Sequence, residues 1–147
     1  MFRKFSNSDR KRRRGAAVIE FAVCLPVIVL IVFGGIEAAN LLFLRQTLVQ
    51  AAFEGVKTGV KNNGTDEAVT ASVQSVTDGR NLENVSITLT PSNVETLERG
   101  EFFEVTVSAP GDDNSLFPFG PFAGRNVIAT AVMVKEYDPP KGTYDDF

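Results

Sequence analysis

The sequence contains no histidine and a single cysteine, Cys24. Zinc centres built from His and Cys are excluded by that composition, as are nucleophiles activated by His. One cysteine permits no intrachain disulfide, so the thiol count says nothing direct about compartment. Cys24 stands inside an apolar run and reads as a small hydrophobe. Gly-rich phosphate loops, metal-ligand clusters and nucleophile motifs are also missing. The reading is of a protein that is not an enzyme and needs no cofactor. No internal repeat is present.

Two local absences say more. Residues 1–14 hold only one acidic group, Asp9, against seven basic ones, Arg3, Lys4, Arg10, Lys11, Arg12, Arg13 and Arg14. The remaining residues carry eight basic and seventeen acidic groups. A split of that kind suggests that the two parts reside in different places. From Phe21 to Ile36 the chain reads FAVCLPVIVLIVFGGI, without a charge. Extended to residues 16–39, the run makes a helix of about 36 Å at 1.5 Å per residue. A hydrocarbon core of about 30 Å is crossed by that length with some tilt. A secretory signal peptide also begins with a basic and then an apolar stretch, but this run is long and lacks a clear A-x-A site. The Lys11, Arg12, Arg13, Arg14 cluster predicts a cytoplasmic N-terminus and a translocated domain beyond residue 40. The same cluster beside a span makes topology a simpler explanation than nucleic-acid binding. Pro26 falls within the span, where proline is tolerated.

Glu20 is the exception inside the helix. A carboxylate costs on the order of 2–3 kcal/mol near mid-bilayer and less toward the interface. It either snorkels to the headgroups or has a partner.

The segment Gly15-Ala16-Ala17-Val18-Ile19-Glu20-Phe21 follows the basic run directly. It resembles the processing site of type IV prepilins of the tight-adherence (Flp) class. The longer stretch RRRGAAVIEFAVCLPVIVLIVFGGIEAANLLFLRQTLVQAAFEGVKTG is similar to the TadE-like family, the minor pseudopilins of that system. The resemblance is close over about residues 12–60 and loose in the later strands. It implies that a membrane aspartyl prepilin peptidase cuts between Gly15 and Ala16, which makes Glu20 the fifth mature residue. Phe21 stands where Tyr is common. It further implies a bacterial inner-membrane precursor with one span and a periplasmic C-terminal domain. The implied partners are the peptidase, other pilins or pseudopilins, the inner-membrane assembly platform and the lipid bilayer. The implied role lies in pilus assembly, secretion and surface adhesion. Physically, a Gly offers a protease an unhindered, flexible backbone. A new ammonium at Ala16 and a neighbour's Glu20 would offset each other's desolvation. The alternative is an uncleaved single-span protein presenting a periplasmic binding or adaptor domain.

The predicted fold class is α+β, with a long N-terminal helix, a second short helix and a small antiparallel sheet of about three strands. The organisation reads as a basic leader at 1–15, a span at 16–39, a helical continuation at 40–61, an α+β domain at 62–136 and a disordered acidic tail at 137–147. Leu41, Leu44, Leu48, Ala52 and Val56 mark one apolar helix face. Ala51, Gly55 and Gly59 form a small-residue ridge, echoed by Gly34/Ala38 and Gly35/Ala39. Two readings of the ridge stay open: packing against neighbouring subunits, or against the chain's own sheet. Asn62-Asn63-Gly64 stops the helix. Thr65 or Asp66 caps a second helix over 67–77. Residues 85–90, 103–108 and 127–134 alternate as strands. Between the last two strands, Asp112-Asp113-Asn114-Ser115 reads as a solvated turn. Phe117, Phe119 and Phe122 then either cover the sheet or form an exposed partner patch.

Overall fold

In the computed structural model, residues 7–117 and 124–135 are described, with side chains from Gly15 onward. The order of elements is α1 (Asn7–Gly59), α2 (Asp66–Asp78), β1 (Ser86–Thr90), a 3-10 turn (Val94–Thr96), β2 (Phe102–Pro110) and β3 (Asn126–Val134). This is the α+β class read from the sequence. The tail at 137–147 lies outside the described residues.

Helix α1 is continuous for 53 residues, with Pro26 inside it. Its start is a correction: the helix begins at Asn7, so Gly15 lies within regular helix rather than in flexible chain. Lys and Arg are good helix formers, and a single interior Gly costs only about 1 kcal/mol relative to Ala. The basic stretch therefore extends the helix that follows it. At the other end the helix stops at Gly59, two residues before the predicted end. Gly64 packs its backbone on the Gly59 carbonyl, where a Cβ would collide. The buried Lys135 donates from Nζ to the Gly59 carbonyl at 3.3 Å, giving the helix end a cationic cap.

From Leu44 onward α1 is the spine of the domain. Leu44, Leu48, Ala51, Ala52, Val56 and Val60 are buried, and Leu41 packs at their edge. The steps of three and four residues between them keep the stripe on one face. Helix α2 packs there through Val69 and Val73. The Thr65 hydroxyl caps α2 by accepting from the Ala68 N–H at 3.2 Å. The Asp66 carboxylate also accepts from Val94 N at 2.9 Å, tying the 3-10 turn to the start of α2.

The sheet has the order β1-β2-β3, antiparallel throughout. Alternation selects its inner face: Phe103, Val105, Val107 and Ala109 of β2 are buried, flanked by Ile87 and Leu89 of β1 and by Ala129, Ala131 and Met133 of β3. Ile87 pairs with Val107, and Val107 with Ala129. The opposite face carries Thr106 against Thr130, whose hydroxyls bond at 2.9 Å.

The small-residue ridge now resolves. A Cβ on Gly55 would stand 2.6 Å from Val73 Cγ2 and 3.2 Å from Val105 Cγ1, and one on Gly59 would enter the Phe103 ring. Ala51 is fully buried in the same core. These three positions thus pack against the chain's own helix and sheet. Gly34 and Gly35 have open space around them, Ala38 is half-buried and Ala39 is exposed. The substitution Gly59→Leu should therefore lower stability by about 1–3 kcal/mol through overpacking. Gly35→Ala should leave stability unchanged or raise it by up to about 1 kcal/mol through helix propensity. Thermal unfolding of the detergent-solubilised protein, followed by circular dichroism, measures both.

Candidate processing motif and membrane-proximal clasp

The motif predicted to be processed lies on a part of α1 that the rest of the chain leaves uncovered. Gly15, Ala16 and Glu20 are exposed, as is Phe21 at 61%. A Cβ on Gly15 would meet nothing within 4 Å. Among the described residues Glu20 has no hydrogen bond or ion pair. Lys11, Arg12, Arg13 and Arg14 belong to the helical backbone that precedes the motif. From Gly15 to Gly59 α1 is long and apolar enough to cross a membrane, and its most apolar stretch has no residue buried by the chain. One long apolar helix of this kind fits a single-span membrane protein.

The structure also builds a site that the sequence reading did not assemble. The chain between β2 and β3 leaves the sheet through a closed neck: Gly111 N donates to Arg125 O at 2.7 Å, and Gly124 N to the Asp112 carboxylate at 2.6 Å. Gly124 adopts φ +74°, a left-handed conformation suited to glycine. Asp113 accepts from Asn84 Nδ2 at 2.7 Å. The turn read as merely solvated therefore uses both carboxylates to hold the loop's shape.

Asn114 is the hub. Its Oδ1 accepts from Glu83 N at 2.9 Å, and its Nδ2 donates to Glu83 O at 3.0 Å and to Pro110 O at 2.9 Å. Its backbone carbonyl accepts from Asn40 Nδ2 of α1 at 2.8 Å. One residue on, the Ser115 hydroxyl donates to Glu37 Oε1 and accepts from Phe117 N at 3.1 Å. Two residues further, the Phe117 ring meets Phe33 edge-on, with centroids 5.1 Å apart and planes at 83°. This geometry is favourable for aromatic quadrupoles.

Glu37 is the residue that sequence reasoning passed over. It is just 4% exposed, and its Oε2 has no partner among the described residues. Its spacing to Phe33 and Asn40, four and three residues, was the available sign that all three share a helix face. Phe117 corrects one reading of the Phe-rich loop. Its ring lies on α1 rather than over the sheet, and it is 39% exposed, with Leu116 beside it at 59%. Phe119 and Phe122 lie outside the described residues.

The model of the family described as TadE-like protein matches residues 15–57. No curated protein and no solved structure matches the chain. The matched segment begins at Gly15 and ends two residues before α1 does.

The clasp has a direct consequence for stability. Asn114→Ala removes three side-chain hydrogen bonds, two to the exposed Glu83 backbone and one to the part-buried Pro110 carbonyl, a loss of about 1–3 kcal/mol. Asp113→Asn, at an exposed bond, should change stability by no more than about 0.5 kcal/mol. Urea unfolding of the two variants beside the parent chain tests the ranking.

Proposed function

We propose, from the match of the TadE-like family model to residues 15–57, that the chain is a minor pseudopilin of a tight-adherence pilus or secretion machine. In this reading the precursor sits in the bacterial inner membrane with its basic leader in the cytoplasm and its α+β domain in the periplasm. A prepilin peptidase cuts after Gly15. The mature protein, beginning at Ala16, joins other pilins or pseudopilins at the assembly platform and contributes to surface attachment.

One observation carries the reading: the segment Gly15–Phe21 follows a basic cluster at the head of an uncovered apolar helix. Every part of that motif has a physical role. The cluster holds the leader on the cytoplasmic side. Gly15 presents a backbone that no side chain obstructs, and the peptidase needs only to unwind helix at its weakest residue. Glu20, without a partner among the described residues, supplies the carboxylate for a neighbour's new ammonium at Ala16. Such pairing offsets the desolvation of both groups and sets the register between helices.

Intact mass of the protein from cells with an active prepilin peptidase tests the cut. The expected species lacks residues 1–15, and Gly15→Leu should remain full-length. A full-length parent chain in those cells would overturn the reading in favour of an uncleaved adaptor. Glu20→Gln should be cleaved as the parent is but recover less of the partner pilins on co-purification. Undiminished recovery would leave Glu20 with a purely interfacial role.

A further inference from the structure

The loop that clasps α1 runs down the helix toward the membrane. Asn114 meets Asn40, Ser115 meets Glu37 and Phe117 meets Phe33. Three steps forward in the loop are thus seven residues back along α1, a descent of about 10 Å at 1.5 Å per residue.

Polarity falls along both strands of this contact together. On α1 the order is Asn40, Glu37, Phe33, the last lying inside the uncharged run from Phe21 to Ile36. On the loop the order is Asp112 and Asp113 at the neck, then Asn114 and Ser115, then Leu116 and Phe117. A water-facing surface gives no reason to expose Leu116 and Phe117 directly after four polar residues. A loop crossing from water into lipid does, and the uncharged run of the helix beside it reports the same boundary near Glu37. Phe33 lies four residues inside that boundary, about 6 Å deep. The Phe117 ring lies at the same depth because it packs on Phe33.

We infer that Leu116 and Phe117 insert into the outer edge of the bilayer on the periplasmic side, so that the domain is seated on the lipid surface as well as tethered by its span. The occupant of this apolar patch is phospholipid acyl chain, continuous with the lipid around α1. Glu37 gains a role from this arrangement. At the boundary it turns its carboxylate to the Ser115 hydroxyl and away from lipid, and Ser115 in turn holds the Phe117 N–H. The Ser115 hydroxyl and the Phe117 N–H are thereby paired at this level, while Glu37 Oε2 has no partner among the described residues.

This inference rests on the membrane reading of α1, and the experiment separates the two. The chain contains no tryptophan, so single-tryptophan variants of the full-length protein report one place each. Phe33→Trp, Leu116→Trp, Phe117→Trp and Phe102→Trp are reconstituted in phosphatidylcholine nanodiscs carrying bromine at a shallow or a deep acyl position. Phe102 is exposed at the opposite end of β2, near the level of Gly59, and serves as the water-facing reference. Quenching of Phe117→Trp and Leu116→Trp comparable to that of Phe33→Trp, stronger with shallow than with deep bromine, is expected, with Phe102→Trp unaffected. Quenching of Phe33→Trp alone overturns the inference and leaves the span intact. A blue-shifted but unquenched Phe117→Trp also overturns it, because protein and not lipid would then cover the loop. Absence of quenching at Phe33→Trp means that the span reading itself has failed.

Discussion

The approach of Phe103 to Gly59, and of Val73 and Val105 to Gly55, sets the geometry of the domain. At these two helix positions no side chain intervenes, so α2 and the sheet come down onto the α1 backbone. Once that contact is made, the rest follows by pairing. Strand β2 fixes β1 on one side and β3 on the other, and Lys135 at the end of β3 returns to the carbonyl of Gly59. The link between β2 and β3 is left at the far end of the sheet, where α1 leaves the membrane run.

The same helix therefore has two regimes, one fitted to a membrane span and one to a domain core. Between Gly15 and Ile36 its side chains face outward with little of the chain against them, an arrangement that water would not tolerate over such a length but lipid favours. From Leu44 onward only one face is apolar and buried. The change of regime falls within two turns, at Glu37 and Asn40, and there the loop from the sheet is fastened. A domain held at that point cannot swing freely about its anchor.

Much of this was legible in the residues. The span followed from sixteen uncharged positions, the helix face from Leu44, Leu48, Ala52 and Val56, and the three strands from alternation, each within a residue or two of its observed end. These features are local, and periodicity reports them directly. Helix α1 also runs through the polybasic stretch, whose residues are good helix formers.

The ridge of Ala51, Gly55 and Gly59 was visible in the sequence, but not what it faced. A bare helix surface suits any close neighbour, and only the fold placed Val73, Val105 and Phe103 there. Glu37 illustrates the same division more sharply. By itself the sequence determined that a carboxylate stands at the edge of the apolar run. The tertiary structure alone decided that Ser115, seventy-eight residues away, meets it, because the contact depends on where the sheet sets down the link between β2 and β3. Local periodicity encodes which face a residue occupies, whereas the partner across that face is set by long-range packing.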